Sequence, residues 1–233
     1  MPSGRGARKP PRRSPPLRPY FIGALVAVVA VGVLLGIGAL TRDNGPSPDA
    51  EIIVPTPRPS DVTQDAHTYG DPGAPVTVQE YLDFQCPICL RAESGVLPEI
   101  ETRFIQPGVA KLETHAIAIL GDESVQAAAA AECANEQGRF WAYHDILFAN
   151  WAGEQKGAFK DSRLKEMAAR LGLDTAAFGS CLDSGKYVQQ VVQDTQDARA
   201  AGVGGTPTFF VNGVKVRNTA EDIAAAIEAA AGH

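Results

Sequence analysis

Cysteine is scarce in this chain: four in 233 residues, at positions 86, 89, 133 and 181. Histidine is equally sparse, at positions 67, 115, 144 and 233. A zinc site needs two close ligand pairs, and Cys133 and Cys181 are widely separated with no ligand histidine beside either. Metal binding is therefore not expected. Aromatic residues make up 7 % of the chain, and Trp141 and Trp151 read as core rather than as a binding surface. No internal repeat is visible, which sets aside solenoids and propellers. The net charge of −6 offers no footing for nucleic acid.

Two local absences organise the N-terminus. Residues 1–19 contain no acidic side chain and carry +6 from Arg5, Arg8, Lys9, Arg12, Arg13 and Arg18, so the chain total of −6 leaves −12 on residues 20–233. Tyr20 to Leu40 then holds no charged side chain at all. As a helix this run would reach roughly 32 Å, enough for a bilayer's hydrocarbon core. A basic flank before the only apolar span predicts residues 1–19 in the cytoplasm and residues 41–233 outside. The expectation is a single-pass anchor at the cell membrane; a cleaved signal peptide competes, although Gly38-Ala39-Leu40 is a poor cleavage site.

Thr41 to Pro75 is rich in Pro, Ser and Asp, with Pro55-Thr56-Pro57-Arg58-Pro59 at its centre. Proline at this density cannot propagate a helix or a central strand, so residues 41–61 read as a semi-extended tether. Residues 62–233 are long enough to bury one core. They read as strand, helix, strand, a helical block, then strand, strand, helix, an α/β class with a helical insertion at about 121–201. The first strand leads into Cys86, a helix follows through Phe104, and Lys111 to Leu120 reads as the next strand. Phe209 to Val211 and Val214 to Arg217 should pair about the Asn212-Gly213 turn, and Ala220 to Ala230 should close the chain as a helix.

Cys86-Pro87-Ile88-Cys89 is the chemical centre of the sequence. At the N-terminus of a helix, unpaired N–H groups and the positive end of the macrodipole favour a thiolate at Cys86. Pro87 suits the first helical position, where a missing N–H is harmless. Cys89 returns to the same side, so Cys86 is the accessible, attacking sulfur and Cys89 the buried, resolving one. Strand period puts Val76, Val78, Glu80, Leu82 and Phe84 on one face, with Glu80 the only charge among them. A carboxylate there must find a partner or a raised pKa, unless it sits at a wet edge. Cys133 and Cys181 complete an even count in a chain read as exported, which favours a structural disulfide over a second redox pair. His144 reads as a packing and capping residue rather than a catalytic one, and His115 as a core or surface strand residue, with approach to the active site as its alternative.

Three separated motifs resemble one family. Gly70-Asp71-Pro72-Gly73-Ala74-Pro75-Val76-Thr77-Val78 followed by Asp83-Phe84-Gln85-Cys86-Pro87-Ile88-Cys89, then Gln137-Gly138-Arg139-Phe140-Trp141-Ala142-Tyr143-His144-Asp145, then Gly202-Val203-Gly204-Gly205-Thr206-Pro207-Thr208-Phe209-Phe210 are similar to membrane-anchored DsbA-family thiol-disulfide oxidoreductases. The resemblance implies a thioredoxin fold with an inserted helical subdomain and a cis peptide before Pro207, with Thr206 and Pro207 facing Cys86. It implies a proton-moving role for Glu80, six residues before the first cysteine.

The resemblance further implies exported proteins with reduced cysteines as substrates, a quinone-linked membrane oxidase as electron acceptor, and no cofactor of the chain's own. Isomerases of this type usually dimerise, and no dimerisation segment precedes the domain, so a monomeric oxidase is expected. The strongest oxidants of the family carry His where this chain has Ile88, which implies intermediate oxidising strength. The competing function class is a membrane-tethered binding or chaperone-like module whose cysteines are only structural.

Overall fold

The computed structural model describes residues 50–232. The basic tail, the apolar span, tether residues 41–49 and His233 lie outside the described residues. Among the described residues, no helix is long and apolar enough to cross a membrane.

Six strands form one sheet: β1 (Gln64–Asp65), β2 (Thr68–Tyr69), β3 (Val76–Leu82), β4 (Ala110–Ala116), β5 (Thr208–Val211) and β6 (Val214–Val216), in the order β1-β2-β4-β3-β5-β6. Only β3 and β4 pair in parallel; the other neighbours are antiparallel. Parallel pairing requires a crossover, which the cysteine-bearing helix supplies. In β3 the alternation is as expected: Val76, Val78, Glu80 and Leu82 are buried while the intervening residues are partly exposed. The β5–β6 hairpin turns at Asn212 and Gly213, both with positive φ (46° and 80°), the backbone that a two-residue turn of this hand demands. Asn212 Oδ1 also accepts from the Thr77 N–H at 2.8 Å, tying the turn to the start of β3.

The helix after Cys86 does not run uniformly to Phe104. It begins as α1 (Pro87–Arg91), widens into a π turn over Ala92–Val96, returns to α geometry in α2 (Leu97–Ile100), and widens again over Glu101–Ile105. Pro98 explains the first departure, since it has no N–H to give to the carbonyl one turn earlier. The two widened turns each carry an acid that matters below, Glu93 and Glu101.

The insertion comprises α3 (Asp122–Asn135), α4 (Phe140–Ala149), α5 (Asp161–Arg170), α6 (Thr175–Asp183) and α7 (Val188–Ala200). Asp174 caps α6 by accepting from the N–H groups of Ala176 and Ala177. The closing helix α8 (Ala220–Ala231) is capped by Thr219 and buries Ile223 and Ile227 against β3 and β5. Each such isoleucine contributes about 1.5–3 kcal/mol of apolar burial.

Two expectations need correction. The strand expected to reach Leu120 ends at Ala116, because Asp83 leaves β3 and its Oδ2 accepts from the N–H groups of Ile119 (2.8 Å) and Leu120 (3.0 Å), drawing that segment into a loop. The tether residues that are described, 50–61, are extended but packed on the domain. Ile52 is buried, Asn150 clamps the Ile53 backbone through both its amide atoms (2.9 and 2.8 Å), and Arg163 donates to the Ala50 carbonyl at 2.8 Å. A proline-rich backbone without internal hydrogen bonds is free to make these contacts with a neighbour. The β1–β2 hairpin was not anticipated either; its two-residue strands are too short to show a period.

Candidate active site

Cys86 is the N-cap of α1, with Pro87 at the first helical position. Its sulfur donates to the Thr206 carbonyl at 3.3 Å, and the Thr206–Pro207 peptide is cis. Cys86 and Cys89 stand as free thiols. The expected contrast in accessibility is smaller than foreseen: Cys86 is 5 % exposed and Cys89 0 %, because the Thr206-Pro207 loop closes over the outer sulfur. Ile88, at 44 %, is the exposed member of the motif.

The two thiols are pushed in opposite directions. A hydrogen bond from the Cys89 thiol is the largest influence lowering Cys86, to about 6. Partial burial opposes it, while the Thr206 hydroxyl and the backbone N–H groups of Ile88 and Cys89 assist. That hydroxyl has no other hydrogen-bond partner among the described residues and is available to donate to a thiolate. Cys89 is held far above a free thiol, chiefly by burial and then by its role as donor to Cys86 and the nearby Glu80. One sulfur is thus prepared as nucleophile and leaving group, and the other keeps its proton.

Glu80 lies behind Cys89 at 0 % exposure, so the wet-edge alternative is excluded. Neither carboxyl oxygen has a hydrogen-bond donor among the described residues. Burial raises its pKa well above the ordinary carboxylate value, and the nearby Glu93 carboxylate raises it further. Glu93 Oε1 is 3.3 Å from His144 Nε2, within ion-pair range though not aligned as a hydrogen bond. His144 Nδ1 is 2.9 Å from Asp145 Oδ1. Burial alone would lower His144, but these two carboxylates prevail and raise it to about 9, so the ring is an imidazolium at neutral pH. His144 therefore does more than pack.

Arg58 completes the group. It donates from Nε and Nη2 to Asp145 (2.9 and 2.8 Å), from Nη1 to Glu101, and lies 3.7 Å from Glu93, with its guanidinium over the rings of Trp141 and Tyr69. Glu93, Glu101, Asp145 and Arg58 were not singled out in the sequence. Glu93 had a signal, for it stands four residues after Cys89 and seven after Cys86 on the same helix face. Arg58 had none, being one basic residue among prolines.

The remaining residues support the site. Gln85 donates to Ser124 Oγ (2.8 Å), and Trp151 Nε1 donates to the Gln85 carbonyl (2.7 Å), fixing the loop before Cys86. His115 stacks on Tyr81 with centroids 4.7 Å apart. Cys133 and Cys181 form a disulfide joining α3 and α6, 48 residues apart in sequence. Among the described residues, no group of three or more His, Cys, Asp or Glu could hold a metal ion.

A dithiol at a helix N-terminus facing a cis-proline loop, on a mixed sheet with an inserted helical block, defines a thioredoxin-like dithiol protein of the DsbA kind. The chain belongs to the Thioredoxin family, whose model matches residues 62–229. Among solved structures it is similar to BdbD from Bacillus subtilis in its oxidised form (26 % identity, TM-score 0.67, covering 72 % of this chain and 94 % of that one). It is likewise similar to oxidised DsbA of Mycobacterium tuberculosis (28 %, TM-score 0.58, 75 % and 91 %) and to the reduced disulfide bond oxidoreductase DsbG of the same organism (27 %, 0.57, 74 % and 88 %). Among curated proteins it is 37 % identical over 151 residues to Na(+)/H(+) antiporter NhaA 3 of Salinispora tropica, covering 63 % of this chain. The chain spans only about a fifth of that relative's length (22 %), so the likeness concerns one part of a longer protein.

Proposed function

We propose that this chain is a membrane-anchored, extracytoplasmic thiol-disulfide oxidase acting on exported proteins with reduced cysteines. The observation that carries the reading is the placement of the pair: Cys86 caps α1 with its sulfur 3.3 Å from the Thr206 carbonyl of the cis-proline loop, and Cys89 is fully buried behind it, an arrangement that lowers Cys86 and keeps Cys89 protonated. In the oxidised form, a substrate thiolate attacks Sγ of Cys86. The Cys86–Cys89 bond breaks, a mixed disulfide forms, and Cys89 leaves as a thiolate that takes up a proton. The second substrate thiol, once deprotonated, attacks its own mixed-disulfide sulfur and releases Cys86 as a stabilised thiolate. The substrate loses two electrons as its disulfide forms, and the enzyme dithiol holds them. A quinone-linked membrane oxidase is the proposed acceptor, by resemblance.

The low pKa of Cys86 favours oxidation over reduction, because a stabilised leaving thiolate makes the enzyme disulfide oxidising. The proposed placement rests on the basic residues 1–19 and the uncharged run Tyr20 to Leu40. The test is catalysed oxidative refolding of a reduced protein by the full chain, abolished in Cys86→Ser. Turnover in that variant would point to a binding module instead. Protease added to spheroplasts should digest the domain, and complete protection would overturn the placement.

A further inference from the structure

Behind Cys89, four acids gather: buried Glu80 from β3, half-buried Glu93 and Glu101 from the widened turns of the active-site helix, and half-buried Asp145 from α4. Facing them are two cations, His144 from α4 and Arg58 from the packed segment before β1. The Tyr69 hydroxyl, buried and unpartnered among the described residues, is the remaining titratable group on that side, with Asp61 beyond it. Glu93, Glu101, Asp145 and Arg58 line a shared surface cavity with Leu90 and Phe148. Through that cavity Glu93, Glu101 and Asp145 reach the surface, while Glu80 stays buried beside Cys89.

Arg58 is the permanent cation of this set, since His144 titrates. It lies outside residues 62–229, the span that matches the family. The domain therefore takes a charge for its own interior from the segment that leads to it. The four acids face these two cations, so loss of Arg58 leaves His144 alone against them and favours proton uptake by Glu80.

We propose that Arg58 is a positioning residue for the dithiol chemistry: docked through residues 50–61 against Glu93, Glu101 and Asp145, it holds a positive charge beside the acids behind Cys89 and so helps Glu80 accept the proton that Cys89 gives up. The proposal rests on the oxidoreductase reading above. Its physical core is that a guanidinium 3.7 Å from Glu93, on the Glu80 side of the cluster, favours the ionised state of Glu80, an effect strengthened by burial. The same guanidinium is held over the rings of Trp141 and Tyr69, 4.6 and 4.9 Å from their centroids. The supporting direction is that Arg58 opposes the elevation of Glu80, while Glu93 and Glu101 increase it. The influences that lower Cys86 come from Cys89, Thr206 and the helix terminus rather than from Arg58 directly.

The experiment uses the full chain in detergent. Glutathione is placed in a mixed disulfide on Cys86, and its release by Cys89 is timed against pH. In Arg58→Met the rising limb should move about one unit to higher pH, a roughly tenfold slowing below the limb. Arg58→Lys should stay within about twofold of wild type, and the alkylation profile of Cys86 should not move. The displacement should vanish in a Glu80→Gln background. If Arg58→Met does not fold, Glu101→Gln is read in its place, with the limb expected at lower pH because a negative charge is lost. An unmoved limb in the folded variant, a displacement that persists without Glu80, or a parallel displacement of Cys86 would overturn the assignment. A wild-type pair inert to glutathione disulfide would instead sink the oxidoreductase reading itself.

Discussion

The sulfur of Cys86 lies 3.3 Å from the carbonyl oxygen of Thr206, 120 residues downstream. This contact joins the motif at the start of the active-site helix to the loop before β5. It gives the thiol an acceptor, and the Thr206 hydroxyl, otherwise unpartnered among the described residues, gives the thiolate a donor.

Cys86 should titrate near pH 6, well below a free thiol at about 8.5. A depressed pKa stabilises the reduced fold above the unfolded value, and that gain is lost as pH falls through about 6. The melting temperature of the reduced chain should therefore rise relative to the oxidised chain between these limits. Alkylation rates of Cys86 against pH give the midpoint directly; a midpoint at the free-thiol value would refute the stabilised thiolate.

Thr206→Val keeps the shape of the side chain and removes its hydroxyl. A hydrogen bond to a charged group contributes about 1.5–3 kcal/mol, and partial exposure reduces this, so Cys86 should rise by about one pKa unit. The same alkylation profile measures it. An unmoved midpoint would leave only Cys89 and the helix terminus holding the thiolate.

Glu80→Gln should change stability in a pH-dependent direction. The folded pKa of Glu80 is raised, so its contribution is fully present below the unfolded value near 4.5 and is lost as pH rises through the folded one. The variant has no such loss, and its melting temperature should gain on wild type as pH increases. A constant difference across pH would mean that Glu80 stays ionised in the fold.

Loss of the Cys133–Cys181 bond releases 48 residues of closed chain. The chain-entropy relation assigns such a loop about 4 kcal/mol, so Cys133→Ala with Cys181→Ala should melt at clearly lower temperature and keep turnover. Mild dithiothreitol should reduce Cys86–Cys89 first, as peptide mapping after alkylation would show. Equal labelling of all four cysteines would make the second bond redox-active instead of structural.

Ile88→His should make the chain a stronger oxidant. The side chain is exposed beside Cys86, and an imidazolium there adds a cation near the thiolate. The wild-type potential is expected between about −270 mV, typical of thioredoxin, and about −120 mV, typical of DsbA. Equilibration with glutathione reads both proteins, and an unchanged potential in the variant would place control of the thiolate at Thr206.

Much of the fold was legible because its signals are local. The alternation of β3, the Asn212-Gly213 turn and the closing helix from Ala220 each depend on residues a few positions apart. The active-site helix was legible as an element but not in its form, since the effect of Pro98 on the turns around Glu93 depends on what those turns pack against. The hairpin β1–β2 was hidden for the opposite reason: two residues per strand carry no period, and Thr68 and Tyr69 are strand residues only because Glu113 and Leu112 stand across from them.

Of the site, the dithiol, its proline, the helix that polarises it and Glu80 on the buried face of β3 could be read from residue order, because they follow from periodicity and backbone chemistry over short spans. The proline loop opposite Cys86 came from the family resemblance. Packing alone brought about the covering of Cys86 as well as Cys89, the nearness of Glu93 to Glu80, and the place of a proline-flanked arginine 28 positions before Cys86 among Glu93, Glu101 and Asp145. Charge partners across elements have no period to announce them, because burial and proximity arise only when distant segments pack together.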